Sequence, residues 1–264
     1  MISDLIKDED ETRKFLNKVL LPLENDEVYI IVLTARKKYC PTISSSLEVV
    51  SRDIIRNNDI DRIIRKIRRM SIVEGIYVDK DNNTIPIEAF SMYILPEPRS
   101  TIKAYMTFTQ DINKWNYENL MKCNIVEDAN LGLYRKLDIK LFSAIHKSRS
   151  RSDYFIIDIY KKDEKLLEYI IQLLEIELVE LEKENILQSS IRRFNGLIKW
   201  ISETRGGYHV ILNRNETTGK FIHKLMNQKI PDVEFRKETM TPVVGMLQGG
   251  FVVKEKIYDN IRMS

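Results

Sequence analysis

The stretch Tyr154-Phe155-Ile156-Ile157-Asp158-Ile159-Tyr160 is an apolar run broken by a single carboxylate. A run this short, rich in aromatic and β-branched residues, reads as a strand buried on both faces. Downstream, residues 163–185 place Leu166, Leu167, Ile170, Leu174, Leu178 and Leu181 at helical spacing, with glutamates between them. Residues 197–203 and 208–213 read as two strands joined by a tight turn at Gly206-Gly207. Residues 217–228 read as a helix, 233–236 as a short strand and 249–258 as a last one. Strand, helix, strand, strand, helix, strand is the split βαβ plan.

Toward the N-terminus, Phe15, Leu16, Val19 and Leu20 predict a helix over 8–21 that ends at Pro22. Residues 27–34 read as a buried strand, followed by the basic loop Arg36-Lys37-Lys38-Tyr39. Ser44-Ser45-Ser46 predicts the start of a helix to about residue 57. A second helix from Asp59 sets Arg62, Arg65, Lys66, Arg68 and Arg69 against Ile60, Ile63, Ile64 and Ile67. A strand over 72–78 is expected, closed by a turn at Asp79-Lys80-Asp81-Asn82-Asn83. Another strand, 90–95, is expected to break at Pro96 and Pro98, before a helix over 100–122. The weakly periodic 126–150 reads as a bridge. The expected class is α+β, with an N-terminal α/β unit at 1–150 and the βαββαβ unit at 151–264 forming one composite domain.

The 264 residues carry 42 basic and 39 acidic side chains, a net charge of +3. No global field marks a nucleic-acid binder, so any such binding falls to local basic patches. One patch is Arg36, Lys37 and Lys38 with Arg65 and Arg69; a second is Lys147, Arg149 and Arg151. Either set contacts phosphates or simply forms solvated surface. Tyr39 and Tyr105 are placed either to stack bases or to pack in the core. Cys40 and Cys123 are isolated, which argues against a zinc site and for reduced thiols. The first 13 residues lack the basic and apolar regions of a signal peptide. No apolar run reaches about 18 residues, the length a membrane helix needs. The expectation is an intracellular, cytoplasmic protein without membrane contact.

Two features carry chemistry. Asp158 lies near the end of a buried strand, where a carboxylate must be paired, hydrogen-bonded or bound to a metal. The bland reading is a strand-end residue that caps the next loop. In Arg205-Gly206-Gly207-Tyr208-His209, the glycines permit a sharp turn close to a ligand. Arg205 and His209 bring donors suited to phosphate oxygens. The bland reading here is an ordinary hairpin.

Taken in order, these features resemble the archaeo-eukaryotic primase superfamily. Ile156-Ile157-Asp158-Ile159-Tyr160 is similar to its strand ending in Asp-x-Asp. Gly207-Tyr208-His209, preceded by Arg205, is similar to its small-x-His hairpin. Thr241-Pro242-Val243-Val244-Gly245-Met246-Leu247-Gln248-Gly249-Gly250 is similar to its late glycine loop, with Val244 where a proline is usual. The likeness covers about residues 150–255. It implies a primase-like two-layer fold whose C-terminal unit is RRM-like, or ferredoxin-like.

By that resemblance, Asp158 is a catalytic and metal-binding residue for Mg²⁺ or Mn²⁺. Arg205, Gly206, Gly207 and His209 bind the triphosphate of an incoming nucleotide. Arg36, Lys37, Lys38, Arg65 and Arg69 track a DNA or RNA strand, and a companion protein subunit is a further partner. Position 160, where the second motif carboxylate belongs, holds Tyr160. For a third, Asp232, Glu234 and Glu238 are available; Asp232 and Glu238 are preferred, with Asp232 as a metal ligand. Three outcomes stay open: a primase or primase-polymerase, a catalytically degenerate relative that binds nucleotide or nucleic acid, and an unrelated ferredoxin-like domain.

Overall fold

The computed structural model describes residues 4–43, 47–71, 75–79, 81–120, 130–183, 196–236 and 240–257. The chain is α+β: two antiparallel sheets and six α-helices among the described residues. At the centre of the first sheet runs β1 (Glu27–Arg36), buried along all but its last position. It pairs antiparallel with β2 (Leu47–Ile55) on one side and β3 (Phe90–Ser100) on the other. Successive side chains of a strand point to opposite faces, and here both faces are covered. Tyr29, Ile31, Leu33 and Ala35 enter a core shared with α1 (Glu9–Val19) and α2 (Ile60–Ser71). Val28, Ile30 and Val32 pack with Ala104 of α3 (Thr101–Leu120) and Ile145 of α4 (Asn130–Lys147).

Several expectations for this half are corrected. The predicted helix over 44–57 is the edge strand β2 where it is described; residues 44–46 lie outside the described residues. Val49, Val50, Ile54 and Ile55 supply the β-branched content that favours a strand. Pro96 and Pro98 do not end β3. With Glu97 they stand opposite Tyr29 alone, between the pairs Val28–Arg99 and Ile30–Leu95. In that bulge no ladder N–H is demanded of them, which is where a strand tolerates proline. The expected bridge over 126–150 contains helix α4. In the expected strand over 72–78, only an isolated Val78–Thr84 bridge is present among the described residues.

The second sheet follows the predicted order: β4 (Tyr154–Ile159), α5 (Glu164–Lys183), β5 (Ile198–Glu203), β6 (Tyr208–Asn213), α6 (Glu216–Met226) and β7 (Val233–Arg236). In space the strands lie β5-β6-β4-β7, each neighbour antiparallel. Phe155, Ile157, Ile159, Val210 and Leu212 face the helices, where Leu167, Ile171, Leu174 and Ile222 close a core. The opposite face turns toward the N-terminal half. Tyr154, Trp200 and Ile211 join the core of the first sheet, and Phe15 of α1 meets the Trp200 ring edge-on with centroids 5.4 Å apart.

The glycine-rich tail stitches the sheets together. Its segments β8 (Thr241–Pro242) and β9 (Leu247–Gln248) pair with β3, and β10 (Phe251–Val252) pairs with β9. Only β11 (Lys254–Glu255) crosses to β5. The single strand expected over 249–258 is therefore divided between the two sheets; residues beyond 257 lie outside the described ones. Among the described residues no helix is long and apolar enough to cross a membrane.

The turn between β5 and β6 lies against the end of β4. A Cβ built on Gly207 would stand 1.8 Å from the Ile159 carbonyl oxygen and 2.8 Å from the Lys161 nitrogen, whereas one on Gly206 meets nothing within 4 Å. Gly207→Ala is expected to cost about 1–3 kcal/mol by pushing the hairpin off β4. Gly206→Ala should stay within about 0.5 kcal/mol of wild type. Urea unfolding of both variants checks the difference.

Candidate functional site

Where the two sheets meet, a cleft of about 260 Å³ opens, lined from both halves of the chain. Arg36 ends the even-numbered face of β1, and Lys38 and Tyr39 follow on the loop; Asp158, His209 and Arg236 come from β4, β6 and β7. The β4 register puts Asp158 directly opposite His209 on one side and Glu234 on the other. These three neighbours share a face because cross-strand partners do.

Asp158 is 5 % exposed. An ionised carboxylate at that depth is tolerated only with charged partners. His209 Nδ1 lies 2.9 Å from Oδ1, and Arg236 Nε lies 3.2 Å from Oδ2. Neither approach has hydrogen-bond geometry, so Asp158 Oδ1, His209 Nδ1 and Arg236 Nε are buried without a hydrogen bond. The Arg236 Nη2 donates to Glu234 Oε2 at 2.7 Å and to the Tyr160 hydroxyl at 2.7 Å. That hydroxyl donates in turn to Glu234. Bonds from Tyr160 and Arg236 hold the Glu234 carboxyl below its ordinary range. Burial, with Glu234 beside it, pushes the Tyr160 phenol up.

The facing wall is cationic. Arg36 donates to the Tyr93 hydroxyl at 3.0 Å, and Gln248 reaches the same oxygen at 3.3 Å. Lys38, Arg36 and Arg205 lie 4.9, 5.8 and 4.9 Å from the centroid of the Tyr39 ring, a gathering of three cations around one aromatic. Partial desolvation on the loop, with Arg36 nearby, lowers the Lys38 ammonium below the usual lysine range. Gly249 makes this packing possible. Its φ is +60°, and a Cβ there would meet the Tyr39 ring at 2.4 Å and Arg205 Nη1 at 2.5 Å. His209 aside, Arg36, Lys38 and Arg236 stand against Asp158 and the Glu234 that pairs with Arg236, three cations against two carboxylates, and the excess positive charge falls on Arg36 and Lys38.

The sequence-predicted residues divide. Asp158, Gly206, His209, Arg36 and Lys38 all line the cleft. Arg205 stands at its rim, with Nη1 donating to the Gly249 carbonyl at 2.6 Å. Gly207 seats the hairpin, and Lys37 is exposed on the loop. Asp232 is exposed on the turn before β7, where its carbonyl accepts from Tyr160 N. Glu238 lies outside the described residues, as does Cys123; Cys40 is a free thiol. Arg65 and Arg69 are exposed on α2 and do not line the cleft. Arg149 is paired with Glu97, and Arg151 with Asp153 and Glu27, so both brace the first sheet. Tyr105 is exposed on α3. Arg236 and Tyr93 escaped the sequence reading, and Glu234 was passed over. The alternation Glu234-Phe235-Arg236, with Phe235 inward, was the available signal.

The donor set does not suit a two-metal centre as it stands. Among the described residues, no three His, Cys, Asp or Glu side chains are grouped as a metal cage requires. The two carboxylates that face each other, Asp158 and Glu234, already hold one guanidinium between them. No protein-family model, curated protein or solved structure matches the chain.

A lysine whose charged form is disfavoured in the free cleft regains it when an anion binds. Anion affinity is therefore full below the pKa of Lys38 in the free protein and falls as pH rises through it. Inorganic triphosphate is expected to lose affinity at a pH below about 10.4, the ordinary lysine value. In Lys38→Arg this early loss should vanish, because arginine stays charged. Isothermal titration across pH 7–10 reads both profiles.

Proposed function

We propose that this chain is a primase-like protein whose inter-sheet cleft binds the phosphates of a nucleoside triphosphate, in the form of a relative that has lost the usual catalytic carboxylates. The observation that carries this reading is the imbalance of charge: Arg36 and Lys38, which have no ion pair among the described residues, face the Asp158–Arg236–Glu234 group across the cleft. Such a cleft is complementary to a polyanion. The β5-β6-β4-β7 strand order, with crossovers through α5 and α6, supports an RRM-like unit for the second sheet. The first sheet then serves as the added α/β layer. His209 on the hairpin, opposite Asp158, supports the small-x-His likeness. In this reading Arg36 and Lys38 take phosphate oxygens, and Asp158 orients His209 and Arg236. Arg205 holds the Tyr39 platform at the mouth, and an exposed part of that ring is available to the nucleoside.

A second reading is nucleotidyl transfer with Mg²⁺ or Mn²⁺, making or extending a DNA or RNA strand. One observation favours it: Glu234 sits in register with Asp158, the relation a strand-borne pair of metal ligands needs. Tyr160 is a poor substitute for the missing acid because its phenol stays protonated. Primer extension and de novo synthesis with Mn²⁺, beside Asp158→Ala, decide for or against this alternative; Asp158-dependent product would support it over the binding role.

Fluorescence titration with a labelled ATP analogue tests the first reading. Arg36→Ala and Lys38→Ala should each weaken binding about 10- to 100-fold, the worth of one charge-assisted contact of about 1.5–3 kcal/mol. Arg65→Ala, on α2 away from the cleft, should leave the affinity unchanged. Equal losses at all three positions would point to diffuse surface binding.

A further inference from the structure

The guanidinium of Arg236 does something that the primase likeness does not call for. It lies between two carboxylates borne on neighbouring strands, with Nε 3.2 Å from Asp158 Oδ2 and Nη2 2.7 Å from Glu234 Oε2. One planar cation of fixed shape thus spans both acids. The same Nη2 also donates to Tyr160, which closes the remaining side by bonding Glu234. Asp158 is held at depth, and its buried Oδ1 has no hydrogen bond although His209 Nδ1 lies 2.9 Å away. Two facing carboxylates with water or phosphate completing the shell are the protein contribution typical of a Mg²⁺ or Mn²⁺ site. Here a side chain of the chain itself occupies that position. The electrostatic need of the acids is met without an added ion, because a cation is already carried by the last residue of β7.

We infer that Arg236 is a built-in counter-cation standing in for a divalent metal ion between Asp158 and Glu234, so that ligand phosphates meet a guanidinium where a metal would otherwise bridge them. This deepens the triphosphate reading above and rests on it for the ligand, though not for the cation. Two consequences separate it from a purely structural ion pair. The wild-type protein binds triphosphate equally well with EDTA and with Mn²⁺. Removing the guanidinium while keeping both acids creates a divalent-cation site, whereas a structural ion pair, once broken, leaves only a less stable protein.

The test is Mn²⁺ binding without nucleotide, followed by electron paramagnetic resonance of free Mn²⁺, on wild type, Arg236→Ala, Arg236→Gln and Arg236→Lys. Circular dichroism melts establish which variants are folded. Arg236→Ala should bind one Mn²⁺ at least tenfold more tightly than wild type, and the added substitution Asp158→Asn should abolish that gain. Arg236→Gln, which keeps a polar but shorter and uncharged side chain, should gain affinity in the same direction and serves if the alanine variant is unfolded. Arg236→Lys, which keeps a cation in place, should bind no more Mn²⁺ than wild type. Asp158-dependent Mn²⁺ binding by the wild type at the affinity of Arg236→Ala would overturn the inference, as would a folded, neutral variant that gains none. Failure of the triphosphate to bind any of these proteins would instead remove the ligand reading, which the nucleotide-free titration does not depend on.

Discussion

One buried carboxylate organises this molecule. Asp158 sits in the most apolar strand of the second sheet, at a depth where an unpaired charge costs several kcal/mol. It is kept there by His209 from the strand on one side and Arg236 from the strand on the other. Both partners are set by register, not by long flexible reach, so the site exists only when β4, β6 and β7 are aligned. The contact of Gly207 with the end of β4 fixes that alignment at the turn, and the Phe15–Trp200 packing fixes the second sheet against the first. The cleft and the fold are thus consequences of one arrangement.

The two halves contribute different chemistry. The second sheet supplies an acid–base–guanidinium group that is nearly neutral within itself. The first sheet supplies uncompensated positive charge, through Arg36 at the end of β1 and Lys38 on the loop. Lys38, although exposed on the loop, is disfavoured as a cation by partial desolvation and by Arg36. A protein tolerates such crowding most readily where an anion arrives to relieve it. The tail from β8 to β11 ties these halves together, and it also carries Gln248 and Gly249 to the cleft, so the joint and the site share a segment.

Much of this was legible in the sequence, and what was not has physical causes. The run from Tyr154 to Ile159 and the Gly206-Gly207 turn carry local signals strong enough to place the βαββαβ order. Asp158, His209, Arg36 and Lys38 were each singled out, but no local pattern says that a loop after β1 will face a strand more than a hundred residues later. That proximity comes from sheet-against-sheet packing. Arg236 was missed for the same reason: only cross-strand register brings it to Asp158. Asp232, Glu234 and Glu238 could not be ranked by local pattern, because only the β4–β7 register sets Glu234 opposite Asp158. The edge strand β2 resembled a helix because its side chains are mostly half-buried and its serine-rich approach imitates a helix start. Pro96 and Pro98 misled because a bulge, not a break, accommodates them.

The proposed role of the cleft between the sheets is to receive the phosphates of a nucleotide. A crystal structure with a non-hydrolysable nucleoside triphosphate, grown in EDTA, tests it most directly. Phosphate oxygens are expected within hydrogen-bonding distance of Arg36, Lys38 and Arg236, with Asp158 still held by His209. Density for the triphosphate on the exposed arginines of α2, with this cleft filled only by water, would contradict it.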